Sequence, residues 1–148
     1  MDNLHEVDAW LDALLAKLEP AERKKMLREV ARDMRRIQQA NMTAQRAPDG
    51  SAWEPRRVSA RTKPGRIKRK MFVKLKTAKY LKTKATGDSA EVVFVPAVQR
   101  MARVHHYGLR DRIRKNGPIV KYNQRNLIGF NGQTEKSILD LLLTWLKE

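Results

Sequence analysis

The sequence predicts an α+β fold: long N-terminal helices and a C-terminal helix packed on a small, mainly antiparallel β-sheet, with long basic loops. Three observations predict it. Apolar residues recur at helical spacing in the first third of the chain and again at its end. A β-rich run stands opposite an alternating one across a Gly-Asp turn. Between the N-terminal helices and that pair lies a stretch rich in proline, glycine and cations. A chain of 148 residues suits one domain, 1–148, and leaves no room for a second with its own core.

Asn3 and Glu6 have capping-box spacing, and Leu4, Val7, Leu11, Leu14, Leu15 and Leu18 share one stripe, which predicts a first amphipathic helix. Pro20 reads as the first-turn proline of a second helix. Its apolar side is Met26, Leu27, Val30, Met34 and Ile37, and it is expected to run to about Arg46 before Pro48, Asp49 and Gly50 end it. Such a helix, close to about 40 Å long, packs across a sheet. Residues 48–66 hold three prolines and two glycines without periodicity, a long basic loop in which Trp53 is expected to anchor to the domain's own core.

From Ile67 the spacing of Ile67, Met71 and Leu75 predicts a short helix, and Leu81, Thr83 and Ala85 alternate as a strand. Gly87 and Asp88 turn the chain into a second strand, Glu91 to Val95, which Pro96 stops. Residues 97–104 read as one or two helical turns leading to His105 and His106, with Gly108 at a tight reversal. A second basic loop, Asp111 to Pro118, precedes a strand at Ile119, Val120 and Tyr122. The last helix, from about Thr134 to Lys147, is apolar on most of its surface. This predicts a subunit interface at Leu139, Leu143, Trp145 and Leu146, because one sheet face covers only one stripe.

Charge is distributed unevenly. Residues 1–22 hold 1 basic and 6 acidic side chains (net −5), residues 23–47 hold 8 and 2 (+6), residues 48–86 hold 13 and 2 (+11) and residues 87–148 hold 10 and 6 (+4), within a total of +16. A stretch at +11 repels itself without a polyanionic or acidic partner. Arg56, Arg57, Arg61, Arg66, Lys68, Arg69 and Lys70 are therefore the expected contacts to duplex DNA or to acidic neighbours. An acidic start followed by basic segments also suits head-to-tail docking of identical subunits.

Several function classes are excluded at this level. No run approaches the roughly 18 apolar residues of a membrane span, and the N-terminus is acidic where a secretory signal is basic, so a chain kept inside a cell or a virion is expected. Zero cysteines remove disulfides, thiolate metal sites and cysteine nucleophiles. No nucleophile elbow, phosphate loop, zinc-protease or dinucleotide motif occurs, and carboxylates are not clustered as a metal nuclease requires, so no enzyme, cofactor or metal is expected. His105 and His106 are adjacent and point apart, which favours a structural role. With only Trp53, Phe72 and Tyr80 interleaved among the cations, single-strand stacking is poorly supported.

Four stretches carry a resemblance: LAKLEPAERKKMLREVARDMRR, the QRAPDG of Gln45 to Gly50, the GRIKRKMF of Gly65 to Phe72, and the ARVHHYGLRDR of Ala102 to Arg112. Together, over Leu4 to Leu146, they resemble the phage virion morphogenesis family. The resemblance implies a non-enzymatic structural protein of the virion neck, assembled in the host cytoplasm, that finishes the tail so that it joins a DNA-filled head. It is similar, more distantly, to neck proteins of long-tailed phages that stack as rings, often hexameric. The implied partners are copies of itself, tail tube, sheath or terminator proteins, head-side connector proteins and nearby duplex DNA. A different class stays open: a non-enzymatic, basic, DNA-binding architectural protein.

Overall fold

The computed structural model describes residues 8–10, 12, 13, 16, 18–56 and 70–147, the last two of these by their backbone alone. Of the expected first helix, residues 8–10, 12 and 13 are helical and the rest lies outside the described residues.

The dominant element is α1, Pro20–Thr43, with proline in its first turn. Its 24 residues correspond to about 36 Å. Met26, Leu27, Val30, Ala31, Met34, Gln38 and Met42 recur at three- and four-residue spacing and are buried. Helix α1 stops three residues short of the expected Arg46. Gln45 adopts φ 59°, donates its backbone N–H to the Met42 carbonyl (3.1 Å), and leaves the Arg46 N–H to reach back to Asn41 (3.0 Å). This is a Schellman termination with glutamine where glycine is usual. The Gln45 side chain holds it there: Nε2 donates to the carbonyls of Met42 (2.8 Å) and Met71 (2.9 Å), and Oε1 accepts from Met71 N–H (2.7 Å).

Strands β1, Leu81–Ala85, and β2, Ala90–Phe94, form the expected antiparallel hairpin, from Leu81↔Phe94 to Ala85↔Ala90. Thr86 N–H bonds the Ser89 carbonyl (2.9 Å) across the Gly87-Asp88 turn. The hairpin packs under α1, as a long helix with one apolar stripe requires.

The short helix expected around Ile67 to Leu75 does not form in its described part. Residues 71–80 are successive turns instead, in which Phe72 takes φ 62° and so breaks any helical run, while Leu75 still enters the core. Pro96 ends β2 and also opens α2, Pro96–Tyr107, where its missing N–H costs nothing. Helix α2 is longer than the one or two turns expected and carries both histidines.

The second basic loop is also more ordered than expected. Strands β3, Arg110–Arg112, and β4, Ile119–Lys121, pair antiparallel as a separate two-stranded arm, so the described residues hold two small sheets. Strand β4 is the one expected at Ile119 and Val120, ending at Lys121 rather than Tyr122; β3 is unexpected, since three residues are too short to leave an alternation in the sequence.

Helix α3, Gly132–Lys147, starts two residues earlier than expected, because Asn131 Oδ1 accepts from the N–H (2.8 Å) and Oγ1 (2.9 Å) of Thr134.

Two apolar clusters lie along α1. Met26, Leu27, Val30, Met34 and Leu142 form one, near the start of α1, with Trp10, Ile138, Leu141 and Trp145 packed on it. Met42, Ala47, Trp53, Leu75, Leu81, Phe94, Ala102 and Leu127 form the other, near its end. Val92 touches both, so the hairpin joins them. Between them Gln38 is buried without loss, its Nε2 donating to Gly129 O (2.8 Å) and its Oε1 accepting from Gly129 N–H (3.1 Å).

Candidate interface surfaces

Three surfaces are candidates for contact with partners. The first is the basic middle of the chain. Trp53, 7% exposed, is anchored to the core as expected: its Nε1 donates to Asn126 O (2.9 Å) and its ring meets Phe72 edge-on at 5.5 Å. Arg125, itself buried, donates from Nε to Glu54 O (2.9 Å) and from a terminal nitrogen to Pro55 O (3.1 Å). These contacts hold the backbone beside Arg56, whose side chain is exposed. Beyond it, Arg57, Arg61, Arg66, Lys68 and Arg69 lie outside the described residues. Lys70 is exposed, with Nζ 3.4 Å from Thr43 O, and Lys76 Nζ donates to Thr43 Oγ1 (2.6 Å). Lys82 and Lys84 project from the outer side of β1, so period-2 alternation puts both ammonium groups on one face.

The second surface is α3. Its inner stripe, Ile138, Leu141, Leu142 and Trp145, packs on the cluster at the start of α1. Trp145 Nε1 donates to Glu29 Oε2 (2.7 Å), which ties this side chain to its own α1. Leu139 is half-buried, Leu143 is 44% exposed, and the Leu146 side chain is outside the description. Of the three whose side chains are described, Leu143 is turned outward, whereas Trp145 is shared with the core.

The third surface was not legible in the sequence. The β3–β4 arm and α2 bring Arg100, Asp111, Arg112, Arg114, Lys115 and Asn116 around a cleft of about 720 Å³. Arg100 grips Asp111 with two bonds, 2.7 Å and 3.3 Å. The hydrogen bond from Arg100 keeps the Asp111 carboxyl below its usual range, and the same bond raises the guanidinium. Arg100 is exposed to water while Asp111 is half-buried, so solvent screens the pair and it orients the arm more than it stabilises it.

The histidines join the arm to the core. His105 lies edge-on between Phe72 (4.9 Å) and Tyr122 (4.7 Å), and His106 Nδ1 accepts from Leu127 N–H (3.1 Å). Among the described residues no group of three His, Cys, Asp or Glu is placed to hold a metal, and no helix is long and apolar enough to cross a membrane. Burial lowers the pKa of both rings, and the charge of Arg125 lowers that of His105 further. The unfolded chain therefore takes up these protons near 6.5 while the folded chain resists until lower pH, so stability present above that value is lost as pH falls through it. Thermal melts from about pH 7.5 to about pH 5 are expected to show this loss, and His105→Gln is expected to reduce it. Equal losses in parent and variant would remove His105 from the explanation.

Comparison with known proteins adds the identity of the relatives. The model of the phage virion morphogenesis family matches residues 2–147. Tail completion protein S of Escherichia phage P2 is 36% identical over 149 residues, spanning 99% of this chain and 99% of that protein. No solved structure matches the chain.

Proposed function

The chain belongs to the phage virion morphogenesis family, a structural and non-enzymatic one, and on that premise we propose that it completes the assembled tail and enables head-tail joining. The observation that carries this reading is the end-to-end similarity to Tail completion protein S, with almost nothing of either chain left over. In this reading residues 1–148 act as one tail-completion domain at the tail-neck region of the virion. Copies associate as a ring around the DNA channel, with tail tube, sheath or terminator proteins on one side and head-side connector proteins on the other.

Two surfaces support the ring. A face of α3 with Leu143 outward and Leu139 half-buried offers apolar area to a neighbouring subunit; in this reading Trp145 and Leu146 belong to the same interface. The basic middle, from Arg56 through Arg57, Arg61, Arg66, Lys68 and Arg69 to Lys70, offers cations to passing duplex DNA or acidic partners without reading base sequence.

Electron microscopy of lysates from phage carrying an early stop codon in this gene is the test. Filled heads and separate tails are expected to accumulate, and purified protein is expected to restore infectious particles. Joined, normal virions would overturn the reading. Within it, replacing Arg66, Arg69 and Lys70 together by alanine is expected to leave the melting temperature unchanged while lowering the yield of completed tails; an undiminished phage yield contradicts this role.

The concentration of positive charge in residues 48–86 also favours a second reading, an architectural DNA-binding protein. Its signature is steeply salt-dependent binding to duplex DNA by a monomer or dimer that does not associate with tails.

A further inference from the structure

The β1–β2 hairpin leaves both of its edges open. Val95 N–H bonds Tyr80 O (2.8 Å) before the first pair of the ladder, and Thr86 N–H bonds Ser89 O (2.9 Å) beyond the last. Bonded and unbonded pairs alternate in an antiparallel ladder, so Lys82–Val93 and Lys84–Glu91 are the bonded pairs between these ends. The N–H and C=O groups of Thr83 and Ala85 therefore face away from β2, and those of Ala90 and Val92 face away from β1. None of these groups has a hydrogen-bond partner among the described residues, and no third strand joins the sheet. All four residues are only half-buried. The fold does finish one end of the rim, where Leu81 N–H bonds Thr77 O (2.9 Å) and Phe94 O accepts from Gln99 Nε2 (3.0 Å).

The two edges differ in charge. On the face turned away from the core, β1 carries Lys82 and Lys84, and β2 carries Glu91 and Val93. Lys82, Lys84 and Glu91 are exposed, and none of them forms an ion pair among the described residues. Pairing β1 with the β1 of another copy would set lysine beside lysine, which is destabilising. Pairing β2 with β2 would leave every β1 edge open. Joining β2 of one copy to β1 of the next satisfies both edges and sets Glu91 beside Lys84. Lysines guard an edge against indiscriminate pairing, and a glutamate on the incoming strand admits this partner.

The register of the hairpin itself serves the new contact. With Thr83 opposite Val92 and Ala85 opposite Ala90, every side chain stays on its own face of the extended sheet. A copy turned about an axis along the strands presents its β1 antiparallel to β2, as the hairpin already does. The contact is head to tail, and its repetition closes a ring.

We propose that the β2 edge of one copy pairs antiparallel with the β1 edge of a second copy, Ala90 and Val92 exchanging backbone hydrogen bonds with Ala85 and Thr83, and Glu91 seated beside Lys84. The proposal rests on the ring reading above and names the contact that makes it.

The chain has no cysteine, so introduced thiols report this contact alone. Positions 84 and 91 of neighbouring copies would form an unbonded pair with Cα atoms about 4.5 Å apart, within disulfide reach. K84C and E91C are placed in separate chains, because within one chain they face each other across its own hairpin. Mild oxidation of the two chains expressed together is expected to give a linked dimer, with the link between positions 84 and 91 read by mass spectrometry. Neither chain alone is expected to give one. Mass photometry and sedimentation of the full chain supply the second readout, in which the parent is expected to self-associate. A90P removes an outward N–H at the first residue of a strand, where proline is tolerated, so far-UV circular dichroism is expected to match the parent. Association is expected to weaken at least about tenfold in that variant. K84E and E91K are each expected to weaken it about threefold, and K84E/E91K to recover most of the loss. An oligomer that gives no such link and ignores A90P overturns the edge contact and leaves the ring reading standing. A link formed as readily by E91C alone assigns β2-to-β2 pairing and overturns the proposal. A parent that is monomeric at every concentration overturns both.

Discussion

Trp53→Ala is expected to destabilise the chain by about 3–5 kcal/mol, the usual cost of removing a buried tryptophan from a close-packed site. The side chain is 7% exposed, lies in the cluster with Met42, Leu75, Leu81, Phe94 and Leu127, and meets Phe72 edge-on. The substitution removes this packing and leaves the Asn126 carbonyl without the Nε1–H that it accepts. For a chain of this length the loss corresponds to a fall in Tm of about 10 °C. Trp53→Phe separates the two contributions, because it keeps most of the ring area and loses only the donor, at about 1 kcal/mol. A Trp53→Ala variant that melts within about 2 °C of the parent would mean that the neighbouring loop collapses to fill the space. The consequence for function is local: Trp53 and Arg125 fix the backbone from which Arg56 and the basic segment begin, so the variant is expected to lose tail completion even where it remains folded.

Gly108→Ala is expected to cost about 2–4 kcal/mol from two separate sources. Gly108 ends α2 at φ 66°, in the left-handed region that a side chain disfavours. A Cβ there would also stand 2.9 Å from Gln124 N and 3.0 Å from its Cα, and backbone atoms do not rotate aside as a side-chain tip does. Gly108→Asn distinguishes the sources, since asparagine tolerates the left-handed region but brings the same Cβ. If the contact dominates, both variants melt early; an asparagine variant close to the parent would assign the cost to φ alone. Relief of the contact moves Gln124 away from α2, and with it the bonds from Tyr122 N–H to Leu109 O (3.1 Å) and from Arg125 N–H to His105 O (2.8 Å) that carry the arm. Amide exchange in residues 109–122 is therefore expected to rise.

The elements written in long periodic patterns were legible from the residues alone. Met26 through Met42 recur at helical spacing over more than about four turns and form the buried stripe of α1, and Leu81 to Phe94 fold back at Gly87 and Asp88 as the hairpin. The misses share one physical origin. Gln45 ends α1 because its side chain finds the Met71 backbone from 26 residues away, and no local rule nominates glutamine for a left-handed position. Phe72 breaks the helix expected from Ile67 because the core places it against Trp53 and His105, overriding local spacing. Strand β3 is too short to carry a period, and its cations read as loop until pairing with the expected strand set Arg112 opposite Ile119.

By itself the sequence determined the class, the order of the long elements, the charge asymmetry and the resemblance to virion morphogenesis proteins. Each of these is a sum or a period over many residues, which single positions do not disturb. The tertiary structure alone decided which apolar residues are left uncovered. On α3 it buries Trp145 against α1 while turning Leu143 outward, and at the arm it gathers Arg100, Arg112, Arg114 and Lys115 from two elements beside exposed isoleucines. An interface is made by residues distant in sequence and adjacent in space, and that adjacency is fixed only when a long helix and two short hairpins compete to bury the same apolar surface.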